Sequence, residues 1–91
     1  MTGSQKQIEW ANKIQAEYIR DVRNMQTQNA KPAEKAGQLD QWNATMDDVV
    51  AQAEAKQDAA WWIDNRQHTS VGGRGQIFRD MYTAAVAKVA K

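Results

Sequence analysis

Apolar residues recur at steps of three and four along most of this chain, and no other feature constrains its fold as tightly. Ile8, Ala11, Ile14, Tyr18, Val22 and Met25 fall on one side of a 3.6-residue helix, and Trp10 and Ile19 widen the stripe. No glycine or proline interrupts it. Ser4 stands where an N-cap belongs, with Gln7 three residues on, the S-x-x-Q form of a capping box. Glu9 precedes Lys13 by four, the favourable order for an exposed pair. The pattern predicts a helix over 5–28, ended near Asn29.

A second set, Ala33, Ala36, Leu39, Trp42, Met46, Val49, Val50 and Ala53, predicts a helix over 33–56. Pro32 suits its first turn. Gly37 weakens its start, so it is firm from about Asp40. Continued to residue 67, this helix would be ~50 Å long, too long for so small a core to cover. A bend is therefore expected near Gln57 and Asp58, with Asp58 capping a short helix over 58–66 that has Ala59, Trp62 and Ile63 on its inner side. Gly72, Gly73 and Gly75 require a connection. Ile77, Phe78, Met81, Tyr82, Ala85, Val86 and Val89 then predict a helix over 76–90, with Lys88 and Lys91 where positive charge suits the helix dipole. No alternating run, hairpin signal or internal repeat occurs. The expected fold is all-α, a small bundle of three long helices plus one short helix, in a single domain 1–91.

Composition narrows the chemistry. The 91 residues include no cysteine and one histidine, which excludes disulfides and thiolate metal sites. No metal or other cofactor is expected. No apolar run approaches the ~20 residues of a membrane span, and nothing resembles a signal peptide. These features lead one to expect a soluble cytoplasmic protein. The net charge of +1 hides an uneven distribution. Segment 40–58 carries five acids and one base, and 66–91 carries five bases and one acid. Neighbouring helices can attract one another through these charges, or the basic end can be offered to an acidic partner.

Two stretches carry a resemblance. "TGSQKQIEWANKIQAEYI" (2–19) and "AAWWIDNR" (59–66) resemble a G-S-x-K-Q-x-x-W-A opening and a later W-W-I-D-N-R. That pattern belongs to small proteins of bacteria, phages and other mobile elements. The match rests on Gly3, Ser4, Lys6, Gln7, Trp10 and Ala11, and on Trp61, Trp62, Ile63, Asp64, Asn65 and Arg66. The resemblance implies a helical fold and a bacterial host cell as the setting. It supplies no catalytic residues.

Several constellations invite functional readings. Trp61 and Trp62 point about 100° apart on a helix, so one can enter the core while the other meets a second surface. Arg66, one turn after Trp62, can lie over that indole. A buried joint of Trp10, Trp42 and one of the pair competes with an exposed tryptophan that anchors an interface. Asp64 and His68 could form an acid–base pair, but no nucleophile elbow accompanies Ser70, and a surface histidine is the plainer reading. Asp47 and Asp48 are adjacent and so splay apart on a helix. "SVGGRGQ" could cradle a phosphate, yet it matches no phosphate-loop pattern and reads as a linker.

The sequence thus predicts a non-enzymatic interaction protein that binds a partner protein. The mobile-element setting suggests an inhibitor of a host defence system, such as an anti-CRISPR. Trp62, Arg66, Arg74 and Arg79 are its candidate partner-binding residues. The alternative is a nucleic-acid-binding module, with Arg66, Arg74, Arg79 and Lys88 on phosphates and Phe78 and Tyr82 available for stacking. Self-association is a further expectation, because a small chain can bury a second apolar stripe in a copy of itself.

Overall fold

The computed structural model describes residues 1–71 and 75–90. Ser4 opens the first helix as predicted. Its Oγ accepts from the Gln7 backbone N–H at 3.3 Å, and Gln7 Oε1 accepts from the Ser4 N–H at 3.0 Å. Two donors that a helix start leaves unpaired are thereby satisfied. Helix α1 spans Gln5–Gln28 and ends at Asn29, whose side-chain amide donates to the Met25 carbonyl at 2.9 Å.

The predicted helix over 33–56 is in fact two. Helix α2 spans Ala30–Lys35, and α3 spans Leu39–Ala55. Between them Gly37 takes φ +71, a left-handed conformation that a continuous helix does not contain. The Gly37 N–H donates to Glu34 O at 2.9 Å, and the Gln38 N–H to Ala33 O at 2.8 Å. This pair of bonds closes a helix and turns the chain. The bend expected near Gln57 and Asp58 is present. Asp58 Oδ1 accepts from the Ala60 N–H at 3.1 Å and starts α4, Ala59–Asp64. A 3₁₀ turn, Arg66–His68, follows, and α5 spans Gln76–Val89.

Helix α1 packs on α3 and α4, and α5 packs on α3. The core gathers Ala11, Tyr18 and Val22 of α1, Met46, Val49, Val50 and Ala53 of α3, Ala59 and Trp62 of α4, and Ile77, Phe78, Met81 and Ala85 of α5. The chain is 80% helical and holds no strand among the described residues, which places it in the all-α class. Three long helices form the body, as predicted, joined by two short ones. One isolated bridge ties the start of the chain to the α3–α4 corner. Thr2 N–H donates to Gln57 O at 2.7 Å, and the Ala59 N–H donates to Thr2 O at 3.0 Å. No helix among the described residues is long and apolar enough to cross a membrane.

Candidate functional site

The paired tryptophans make a joint, and the joint corrects the prediction that Trp62 is a docking residue. Trp62 is 0% exposed. Its ring lies 5.8 Å from that of Tyr18 and 4.9 Å, edge to face, from that of Trp61. Its Nε1–H donates to the Lys56 carbonyl at 2.9 Å, so the one polar atom of the indole is satisfied inside. Trp61 is half-buried beneath the Lys56 ammonium, 4.9 Å from the ring centroid. The rotation of α4 decides this, and the Thr2 bridge fixes that rotation by holding the backbone on both sides of Asp58. Gly3 permits the bridge: it adopts φ +142, and a Cβ there would stand 3.0 Å from the Ala59 Cβ. The two stretches of the resemblance, some fifty residues apart in sequence, therefore meet in space as one packed corner of α1 and α4.

The outward tryptophan is Trp10, 47% exposed. The Arg66 guanidinium lies over this ring, 5.2 Å from its centroid, and not over Trp62 as the one-turn spacing suggests. Arg66 Nη1–H also donates to Ile63 O at 2.6 Å. Trp10 and Trp42 do not share an aromatic centre either. Trp42 stands at the other end of the bundle, 6.5 Å from Tyr82, with its Nε1–H donating to Gln26 O at 3.0 Å.

Lys88 and Arg79 both stand on α5 but point apart. Lys88 pairs with Asp48 at 3.4 Å across the α3–α5 contact, so part of the charge asymmetry serves helix attraction. Arg79 lies exposed on α5, nine residues before Lys88 and hence on the opposite side of that helix. Arg74, and with it the middle of "SVGGRGQ", lies outside the described residues. Arg79 and Lys88, two of the cations proposed for nucleic acid, therefore do not share one face. His68 and Asp64 are exposed and make no hydrogen bond with each other among the described residues. Nor do three or more His, Cys, Asp or Glu gather as metal ligands among them.

What the sequence reading missed is a groove between α2, α3 and α5. Trp42, Tyr82, Val86, Val89 and Ala33 line it together with Gln38, Gln41 and Thr45. Its volume is about 190 Å³, and it opens to solvent beside Val86, which is 42% exposed. The Thr45 hydroxyl donates to the Gln41 carbonyl at 2.8 Å. The signal was present in α5: its apolar residues spread over about half the helix circumference at ~100° per residue. That arc is wider than a single neighbouring helix covers. A second cavity, about 260 Å³, lies between Gln52, Lys56, Trp61, Ile77, Asp80 and Met81. Its rim is charged, and the Gln52 amide there is already bonded to Met81 O at 2.9 Å.

Fold and surfaces together define a small all-α bundle with one closed aromatic corner and one open apolar groove. Compared with known protein families, with curated proteins and with solved structures, the chain matches none.

Proposed function

We propose that this chain is a non-enzymatic interaction module that acts by occupying the surface of a partner protein. The groove between α2, α3 and α5 is the seat of that contact. The open wall at Val86 carries the reading. The exposed Val86 side chain of α5 stands beside two half-buried aromatic rings, and together they can take one bulky apolar side chain of a partner. A few rings in a desolvated pocket supply most of the energy of many interfaces. The resemblance carried by positions 3–11 and 61–66 gives the setting. In that setting the partner is a component of a host defence system, and the chain is its inhibitor, as an anti-CRISPR is. The nucleic-acid reading has weaker support, because Lys88 is held by Asp48 and lies opposite Arg79 on α5.

Capture from an extract of the bacterial host tests this directly. The wild-type chain is expected to retain a protein at both low and moderate salt. Val86→Arg, which places a charge in the mouth of the groove, is expected to lose it by roughly tenfold or more while leaving helicity unchanged. Arg66→Ala is expected to retain it. Retention of nucleic acid that falls steeply with salt would instead favour the alternative.

A further inference from the structure

The solvent face of α1 carries alternating charge. Lys6, Glu9, Lys13 and Glu17 follow at steps of three and four, so they share one side of the helix. All four are exposed. Glu9 and Lys13, and then Lys13 and Glu17, have the spacing for pairing along the helix. Yet none of the four belongs to an ion pair among the described residues; Glu9 accepts from Gln5 Nε2 at 3.2 Å. Beside this row stands Trp10, the most exposed of the large apolar side chains described. Half-buried Ile14 follows it one turn on.

We propose that this face of α1 docks a second copy of the chain, antiparallel, about a twofold axis level with positions 11 and 12. The charge pattern selects that occupant. Lys6 lies as far before the axis as Glu17 lies after it, and Glu9 as far before it as Lys13 after it, each to within half a residue. In an antiparallel pair Lys6 then faces the partner's Glu17, and Glu9 faces the partner's Lys13. The symmetry repeats both contacts, which makes four ion pairs. A parallel pair in register would set Lys6 on the partner's Lys6. A uniformly acidic or basic partner would meet like charge at two of the four positions. The same axis brings the two Trp10 rings within ~4 Å of each other along the helix direction, at ~1.5 Å rise per residue. The twofold keeps both rings on the same side of the contact, next to Ile14. Three turns of helix make a smaller interface than the ~800 Å² per partner of a standard complex, so the dimer is weak and depends on concentration. Its face is separate from the groove: Trp10 and Gln26, which touches Trp42, are ~24 Å apart along α1.

Sedimentation of the full chain, from about 10 µM to about 500 µM, tests the proposal. The wild-type mass is expected to rise toward twice the chain mass, less so in high salt. Lys6→Glu and Glu17→Lys are each expected to weaken association by roughly tenfold or more. The double variant Lys6→Glu with Glu17→Lys restores opposite charges and is expected to recover it. Trp10→Ala is expected to abolish it with helicity intact. As a second readout, Lys6→Cys combined with Glu17→Cys is expected to form disulfide-linked dimers on mild oxidation. The two positions lie ~16 Å apart along one helix and cannot bridge within a chain. A wild-type chain that stays monomeric at the highest concentration overturns the proposal. So does a dimer that survives both single reversals, or one that Val86→Arg abolishes while both reversals leave it unchanged.

Discussion

The two ends of the bundle solve the same problem with different materials. At the α1–α4 corner a capping box, a backbone bridge and an edge-to-face indole pair close over Tyr18. At the α2–α3–α5 end a six-residue helix and a left-handed glycine turn leave Trp42 and Tyr82 half covered around a groove. Among the described residues no buried side-chain nitrogen or oxygen lacks a partner, so polar satisfaction does not separate the two ends. What separates them is the amount of apolar surface that the neighbouring helices can reach. The corner closes on itself, whereas the groove leaves apolar side chains open to solvent. A chain this short has little stability to spare, and the one tryptophan it buries completely, Trp62, stands at the corner.

Removing that ring should show the difference most strongly. Trp62→Ala leaves a cavity at the sealed corner and is expected to cost about 3–5 kcal/mol in urea unfolding, enough to threaten the fold. Trp42→Ala, at the half-open end, is expected to cost about half as much. Equal losses would mean that the groove end is as tightly closed as the corner. The glycines give a sharper, smaller contrast. Gly3→Ala meets both a left-handed φ and the Ala59 side chain, and about 2 kcal/mol of destabilisation is expected. Gly37→Ala meets no neighbour within 4 Å, so only the backbone preference of about 1 kcal/mol is at stake. Thermal midpoints of the two variants should differ in that order.

The smallest effect concerns pH. Burial pushes the Tyr18 hydroxyl well above the usual tyrosine value, and its O–H donates to Met81 Sδ at 3.3 Å. In the unfolded chain a tyrosine loses its proton near pH ~10. The folded state therefore holds this proton more tightly. That contribution to stability is intact below pH ~10 and is lost as the pH rises above it. Urea midpoints are expected to fall more steeply above pH ~10 for the wild type than for Tyr18→Phe. Identical alkaline slopes would mean that the corner admits water to Tyr18.

Much of the scaffold was legible because it is local. The Ser4 and Gln7 box, the Asp58 cap and the three- and four-residue spacing act within one or two turns, and the starts that the two caps predicted are present, whereas the start expected at 33 is not. Gly37 was read as a weakness when it is a break. The difference lies in two backbone bonds that form once α2 turns away from α3. The candidate site was less legible. The spacing of Ala59, Trp62 and Ile63 points Trp62 inward, which conflicts with its choice as a docking residue, and the structure sides with the spacing. Trp62 lies against Tyr18 of α1, and Thr2, more than fifty residues earlier, bonds the backbone on both sides of Asp58 where α4 begins. The Arg66 guanidinium lies over Trp10 of α1 instead of Trp62, a contact across more than fifty residues of sequence.

By itself, then, the sequence determined where helices begin, where most of them stop, and that three long ones would share a core, since hydrogen bonds along a helix and its caps involve near neighbours. Tertiary structure alone decided which indole faces water, which cations find carboxylates and where apolar surface stays open. Those outcomes depend on side chains brought together across dozens of residues, and no short-range pattern encodes them.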